Sequence, residues 1–168
     1  MKEPINIERL TSNHNRKIFD CGEEILNDYI RTQASQDLKK NMSAIYVAVS
    51  STDPLQVIGF YILSATHILF SDLPSEIAQS IPRYPEVPAY RLGRLAVDKA
   101  YQGMGIGKTL IMDALYICSN LKVPAAMVIV DAKHQKACSF YLKYGFIQLP
   151  EQPLKLFIPM KVIKNTFS

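Results

Sequence analysis

The chain has 168 residues, 48% of them hydrophobic and 20% charged, with a formal net charge of +4. These values describe an ordinary single globular domain over residues 1–168 with one core. The mild positive excess suits an anionic partner such as RNA but falls well short of a basic tail or arm.

The start, Met1-Lys2-Glu3-Pro4-Ile5-Asn6, carries no apolar segment after its basic residue, so no secretory signal is expected and a cytoplasmic location follows. The least charged stretch, Pro54 to Ser71, is broken by Gln56, Gly59, Ser64, Thr66 and His67, and reads as core strands rather than a membrane span. Cys21, Cys118 and Cys138 have no metal-ligand spacing, so no metal is expected; they read as small buried residues in a reducing compartment.

Ile5 to Leu10 alternates apolar and polar residues and reads as a first strand. From Glu23 to about Lys40, Leu26, Tyr29, Ile30, Ala34 and Leu38 recur at helical spacing. Lys39 and Lys40 close that helix, either as an ordinary basic C-terminus or as a substrate-facing patch. Ala44 to Val49 is rich in strand formers, Asp53-Pro54 marks a turn, and Gln56 to Leu63 continues a meander, so the N-terminal half is expected to be antiparallel. His67 is open to two readings, a catalytic group or a core or rim residue.

Pro74, Pro82, Pro85 and Pro88 argue against a central strand between Phe70 and Tyr90 and suggest a short helix near Glu76 to Ser80, then a stiff loop carrying Arg83. The next strand runs to Val97 and carries Arg91 and Arg94 on opposite faces. An arginine on an inner strand needs an anionic partner, and either an internal salt bridge or a substrate phosphate meets that need.

Gln102-Gly103-Met104-Gly105-Ile106-Gly107-Lys108 follows, and leads into a helix with Leu110, Ile111, Ala114, Leu115, Cys118 and Leu121 on one face. Closely spaced glycines let successive N–H groups converge on an anion, and the helix aims its unpaired first-turn amides at the same place. A dinucleotide fingerprint fails here because its third glycine would have to be residue 108, which is Lys. A Walker loop fails because its first glycine would have to be residue 102, which is Gln, although Gly107-Lys108-Thr109 and Met127 to Asp131 mimic its other parts. Ala125 to Val130 then reads as a strand buried on both faces, completing a βαβ-like unit. His134 to Lys143 reads as a helix capped by Gly145, with Phe140 and Tyr144 packing on the core, and Leu154 to Met160 as a last strand.

Gln102 to Gly107 fits Q/R-x-x-G-x-G/A, and with Phe140-Tyr141-Leu142-Lys143-Tyr144-Gly145-Phe146 downstream the chain resembles the GNAT N-acetyltransferases. The resemblance implies an α/β (α+β) fold, a mixed, mostly antiparallel central sheet with a splayed strand and flanking helices. It implies acetyl-CoA as cofactor, its pantetheine arm against Leu95, Ala96 and Val97 and its pyrophosphate on Gln102, Gly103, Met104, Gly105, Ile106, Gly107 and Lys108. Ala137 and Phe140 would add contacts from the later helix, where His134 replaces the asparagine common in the family. Tyr141 stands where the family often places the general acid, and a phenol, with a reference pKa of about 10, keeps its proton at neutral pH. The backbone N–H near Val97 would stabilise the developing oxyanion.

Phe19-Asp20-Cys21-Gly22, Leu26-Asn27-Asp28-Tyr29, Tyr90 to Asp98, Val130 to Lys133 and Leu156 to Met160 further resemble the acetyltransferase toxins of bacterial type II toxin-antitoxin pairs. That branch acetylates the α-amino group of aminoacyl-tRNA and blocks translation. The resemblance implies a homodimer and a cognate antitoxin, often of ribbon-helix-helix type. Lys39, Lys40, Arg83, Arg91 and Arg94 are the candidate tRNA contacts. A GNAT enzyme acting on a small amine or a protein N-terminus is the alternative, and a non-enzymatic CoA- or nucleotide-binding module the third reading.

Overall fold

The computed structural model describes residues 4–168. The reading of Met1–Glu3 as part of a leaderless start lies outside those residues. Seven strands form a sheet in the order β1 (Ile5–Arg9), β2 (Ala44–Ser50), β3 (Asp53–Leu69), β4 (Glu86–Val97), β5 (Met127–Asp131), β7 (Gln152–Pro159), β6 (Ile147–Leu149). The chain groups into two compact units, residues up to 64 with 93–114, and residues 65–92 with 115–168.

In the first unit, β1 (Ile5–Arg9), β2 (Ala44–Ser50) and the first part of β3 (Asp53–Leu69) form the expected antiparallel meander. The register between β2 and β3 passes from Ala48↔Gly59 to Val49↔Val57, which leaves Ile58 as an extra, bulged residue. The helical stretch is continuous but not uniform. It runs as α1 (Glu24–Asp28), a π-helical turn at Tyr29–Gln33, and α2 (Ala34–Lys39). Tyr29, Ile30 and Ala34 of this stretch are buried against Val47, Phe60 and Ile62 of the sheet, with Phe19 edge-on to Phe60 at 5.4 Å. Burying the larger apolar side chains, such as Ile30, Val47, Phe60 and Ile62, contributes roughly 1.5–3 kcal/mol each.

The second unit contains α3 (Ser75–Ala78), the first part of β4 (Glu86–Val97), β5 (Met127–Asp131), α5 (Gln135–Lys143), β6 (Ile147–Leu149), β7 (Gln152–Pro159) and α6 (Met160–Thr166). Its core joins Ile68, Val87, Ala89, Met127, Ile129, Leu149 and Phe157. β4 and β5 are parallel from Ala89↔Met127 to Leu92↔Val130, as a βαβ unit requires, with α4 (Ile106–Ser119) between them in sequence. That pairing stops at Leu92, while β4 runs on for five more residues to Val97.

Three expectations need correction. Pro88 lies inside β4, an inner strand of the sheet order. It is tolerated because it precedes the first β4–β5 pair, and its carbonyl still accepts the Ala126 N–H at 2.9 Å. Asp53-Pro54 is the start of β3 and not the turn, which falls at Ser51 and Thr52. Leu121 lies beyond the end of α4 and is 42% exposed. Pro159 ends β7 and opens α6, a strand-end position consistent with its missing donor.

Candidate active site

The glycine loop is held from below by a hydrogen-bonded brace. Asp98 follows β4, and its Oδ1 accepts the Ala100 N–H at 2.9 Å, capping the short turn Lys99–Tyr101. Its Oδ2 accepts the Asp20 N–H at 3.1 Å, and its own N–H donates to the bulged Ile58 carbonyl at 2.9 Å. Gln102 Nε2 donates to the Val97 carbonyl at 2.9 Å and to the Cys21 carbonyl at 3.1 Å, so the first residue of the loop is fixed to both the strand and the 20–22 turn. That turn is fixed in its own right. Asp20 Oδ1 accepts from Gly22 N–H at 2.9 Å and Asn27 Nδ2 at 3.0 Å, while the Oδ1 of buried Asn27 accepts the Cys21 N–H at 2.8 Å. The Gly22 amide, Asn27 and the Lys99 ammonium hold the Asp20 carboxyl below its ordinary value. Asp20, Asn27 and Asp98 lie in segments that carry the toxin resemblance, but their bracing of the loop was not legible there. The available signal was local, since an aspartate two residues before a glycine forms an Asx turn.

The residues above the brace fit a pyrophosphate. Gly103 and Gly105 have φ of +80° and +84°, and a Cβ built on Gly103 would meet no atom within 4 Å. The backbone there is open to an approaching anion. α4 begins at Ile106, so its unpaired first-turn amides and positive dipole end adjoin the same loop. Ile106 is buried at 6% exposure and anchors the start of the helix in the core, whereas Met104 is 48% exposed. Gly103→Ala is expected to leave the fold intact, since no packing opposes the methyl, but to raise the KM for acetyl-CoA by roughly tenfold. The left-handed conformation costs a non-glycine residue about 1–2 kcal/mol, and an altered loop loses its grip. Steady-state titration of acetyl-CoA, with a melting curve alongside, checks this.

On α5, His134 is the N-cap and its Nδ1 accepts the Ala137 N–H at 3.1 Å. The imidazole therefore does locally what an asparagine cap would do, and the Ala137 amide is spent on it. Tyr141 is 7% exposed, with its ring edge-on to Phe140 at 5.3 Å and Phe146 at 5.5 Å. Among the described residues its hydroxyl takes no protein partner, yet it is not sealed from the surface. Burial pushes this phenol well above the ordinary tyrosine value, so it holds its proton throughout the neutral range. Phe140 is half-buried and also packs edge-on to Tyr144 at 5.1 Å. The helix ends with Tyr144 followed by Gly145 at φ +96°, the Phe146 N–H reaching back to the Tyr141 carbonyl.

The five basic candidates divide by their partners. Arg91 is internally paired: Nη1 lies 3.0 Å from Asp131 Oδ2 and Nη2 donates to Thr66 at 3.3 Å. Arg94 has no carboxylate; its guanidinium lies 4.0 Å from the Tyr29 ring centroid, a cation–π stack that leaves its N–H groups unspent among the described residues. The π-helical turn begins at Tyr29, whose hydroxyl donates to Asp37 at 2.8 Å, fixing the ring beneath Arg94. Lys39 and Lys40 are exposed at the end of α2, and exposed Arg83 lies over Phe70 at 5.7 Å. His67 is on the rim, 55% exposed and 4.0 Å from Glu86. Cys118 and Cys138 are buried and Cys21 is half-buried, all three as free thiols, with burial pushing Cys118 up to about 12.

The sequence profile of the acetyltransferase (GNAT) domain matches residues 64–163. The chain belongs to the GNAT acetyltransferase family. A tRNA-acetylating toxin of Mycobacterium tuberculosis (strain ATCC 25618 / H37Rv) is 32% identical over 145 residues, 85% of this chain and 84% of the relative. Among solved structures, AtaT complexed with acetyl-methionyl-tRNAfMet superposes with a TM-score of 0.90 at 34% identity, covering 98% of this chain and 100% of that one. A tyrosine-to-phenylalanine mutant of the AtaT toxin, bound to the C-terminus of the antitoxin AtaR and acetyl-CoA, gives a TM-score of 0.82 at 31% identity, with 98% of each chain covered.

Proposed function

We propose that this enzyme transfers the acetyl group of acetyl-CoA to the α-amino group of aminoacyl-tRNA, blocks translation by doing so, and is the toxin of a toxin–antitoxin pair. The observation that carries the reading is the whole-chain likeness to AtaT in complex with acetyl-methionyl-tRNAfMet. The glycine loop and the first-turn amides of α4 hold the pyrophosphate, and the stretch of β4 beyond its last pair with β5, ending at Val97, receives the pantetheine arm.

Bound acetyl-CoA supplies the acyl group as a thioester. The attacking amine must be neutral, and a free α-amino group has a reference pKa of about 7.7–8.0, so much of it is already deprotonated near neutrality. No strong base is required. The amine nitrogen adds to the carbonyl carbon and releases its surplus proton to solvent, then the C–S bond breaks as Tyr141 gives its phenolic proton to the departing sulfur and regains one from solvent. Backbone N–H groups at the Val97 end of β4 stabilise the negative charge that gathers on the carbonyl oxygen. Arg94, stacked on Tyr29 with its donors free, together with Lys39, Lys40 and Arg83, contacts tRNA phosphates, while Arg91 contributes through its pairing with Asp131.

The antitoxin reading rests on the AtaT toxin bound to the C-terminus of AtaR. A ribbon-helix-helix antitoxin, a homodimer and a cytoplasmic site of action complete the proposal. No described helix is long and apolar enough to cross a membrane. Transfer of radiolabelled acetyl to bulk charged tRNA, with uncharged tRNA and free amino acids as controls, tests the substrate. Label on charged tRNA alone is the expected result. Label on small amines or protein N-termini instead would replace tRNA as the acceptor and leave the acetyltransferase assignment standing.

A further inference from the structure

A recess of about 350 Å³ in the first unit is lined by Ser12, His14, Asn15, Arg16, Lys17 and Arg31. The segment that forms its wall is rigidly held. The Asn15 N–H donates to the Leu55 carbonyl at 2.6 Å, and the Val57 N–H donates back to the Asn15 carbonyl at 3.1 Å. His14 is buried at 7% exposure and locks the turn, its Nδ1 accepting the Thr11 N–H at 3.0 Å. Its Nε2 therefore carries the hydrogen and donates to Glu8 Oε1 at 3.0 Å.

Two guanidinium groups are pinned by one arm each. Arg16 Nη1 donates to the Ile30 carbonyl at 3.1 Å, and Arg31 Nη2 donates to the Phe19 carbonyl. Among the described residues, Arg31 Nη1 has only the highly exposed Glu24 carboxylate at 3.5 Å, and its Nε is buried with no partner. Lys17 is exposed and has no carboxylate partner among the described residues. Thus three cations border one recess whose lining holds no acidic side chain, and two of them have planar donor sets fixed in advance. The lining presents cationic head groups beside their own aliphatic stems, with no phenylalanine, tyrosine, tryptophan or branched aliphatic residue among them. A phosphodiester needs only charge and N–H donors, and the head groups supply both.

We propose that this recess is a phosphate subsite for the RNA substrate, seating one backbone phosphodiester among Arg16, Lys17 and Arg31. It rests on aminoacyl-tRNA being the acceptor and extends the footprint beyond Lys39, Lys40, Arg83 and Arg94. The pinned arginines fix the position of the phosphate, and Lys17 adds charge without structural duty, since only its backbone N–H is engaged, with Asn15 Oδ1 at 3.1 Å.

Lys17→Glu and Lys17→Arg are compared with the unaltered enzyme on bulk charged tRNA and on an aminoacyl nucleoside that carries no phosphate, across a range of salt. Lys17→Glu is expected to raise the KM for charged tRNA roughly five- to tenfold and to flatten the slope of log kcat/KM against log salt by about one. The KM for acetyl-CoA and the rate on the aminoacyl nucleoside stay unchanged, and Lys17→Arg restores both the KM and the slope. An unaltered salt slope with tRNA overturns the subsite, as does an equal loss on the phosphate-free acceptor. A loss confined to binding of the antitoxin's C-terminal peptide would overturn it in favour of a protein-docking role. Failure of the unaltered enzyme to label charged tRNA while it labels another amine would instead sink the substrate reading, and the subsite with it.

Discussion

Tyr141→Phe is expected to lower kcat on charged tRNA by about 10²–10⁴-fold, the range for loss of a positioned general acid. Acetyl-CoA affinity should change little, because the loop that holds the pyrophosphate is braced by Asp98, Gln102 and Asp20, none of which involves Tyr141. The substitution is nearly isosteric. The edge contacts to Phe140 and Phe146 depend on the ring and survive, and the lost hydroxyl leaves no protein group unpaired, so stability should stay within about 0.5 kcal/mol. A kcat that falls while the KM for acetyl-CoA and the melting temperature hold would identify an interaction made only as the thioester breaks. A kcat within threefold of the unaltered enzyme would remove Tyr141 from the chemistry and leave it as a packing residue.

The glycine loop was legible because its function depends on backbone shape, and the residues that permit that shape are few and fixed in spacing. Gly103 and Gly105 do take positive φ, and Gln102, which excluded a Walker loop, proves to fasten the loop to Val97 and Cys21. The meander and the parallel β4–α4–β5 crossover were legible for a similar reason, since strand and helix periods differ. Contacts between distant residues were not. Nothing near Arg91 signals that Asp131, 40 positions later, neutralises it, or that Arg94 settles on a tyrosine at the start of a π-helical turn. Two short elements were also missed. β6 has three residues, too few to display a period, and α6 is a seven-residue helix following a proline that reads as a stop. Pro88 misled in the same way, because the rule against proline in a strand concerns its missing N–H, and at this position only its carbonyl is used.

The pH dependence of kcat/KM on charged tRNA should rise with unit slope below about pH 7.7–8.0 and then level, giving a roughly fifty- to ninetyfold gain from pH 6 to 9. The rising limb belongs to the substrate, since only the neutral α-amine attacks. The absence of an early fall belongs to the enzyme. A general acid of ordinary phenol acidity would begin to lose its proton near pH 10, and burial moves Tyr141 further up, so the plateau should extend past about pH 10. Initial rates over short intervals, with the aminoacyl ester's own hydrolysis subtracted, would trace both limbs, and a decline near pH 8–9 would mean that some other group carries the proton. The same shift fixes the direction of the stability change. A phenol whose folded value is raised favours the folded state fully below about pH 10, where it is protonated in both states, and that contribution is lost as the pH climbs toward the folded value. Tyr29 is raised too, by burial and by its hydrogen bond to Asp37, so both tyrosines oppose folding only in strong alkali. Loss of activity with the fold intact at such pH would therefore report deprotonation of Tyr141 itself, whereas simultaneous loss of both would report the core giving way.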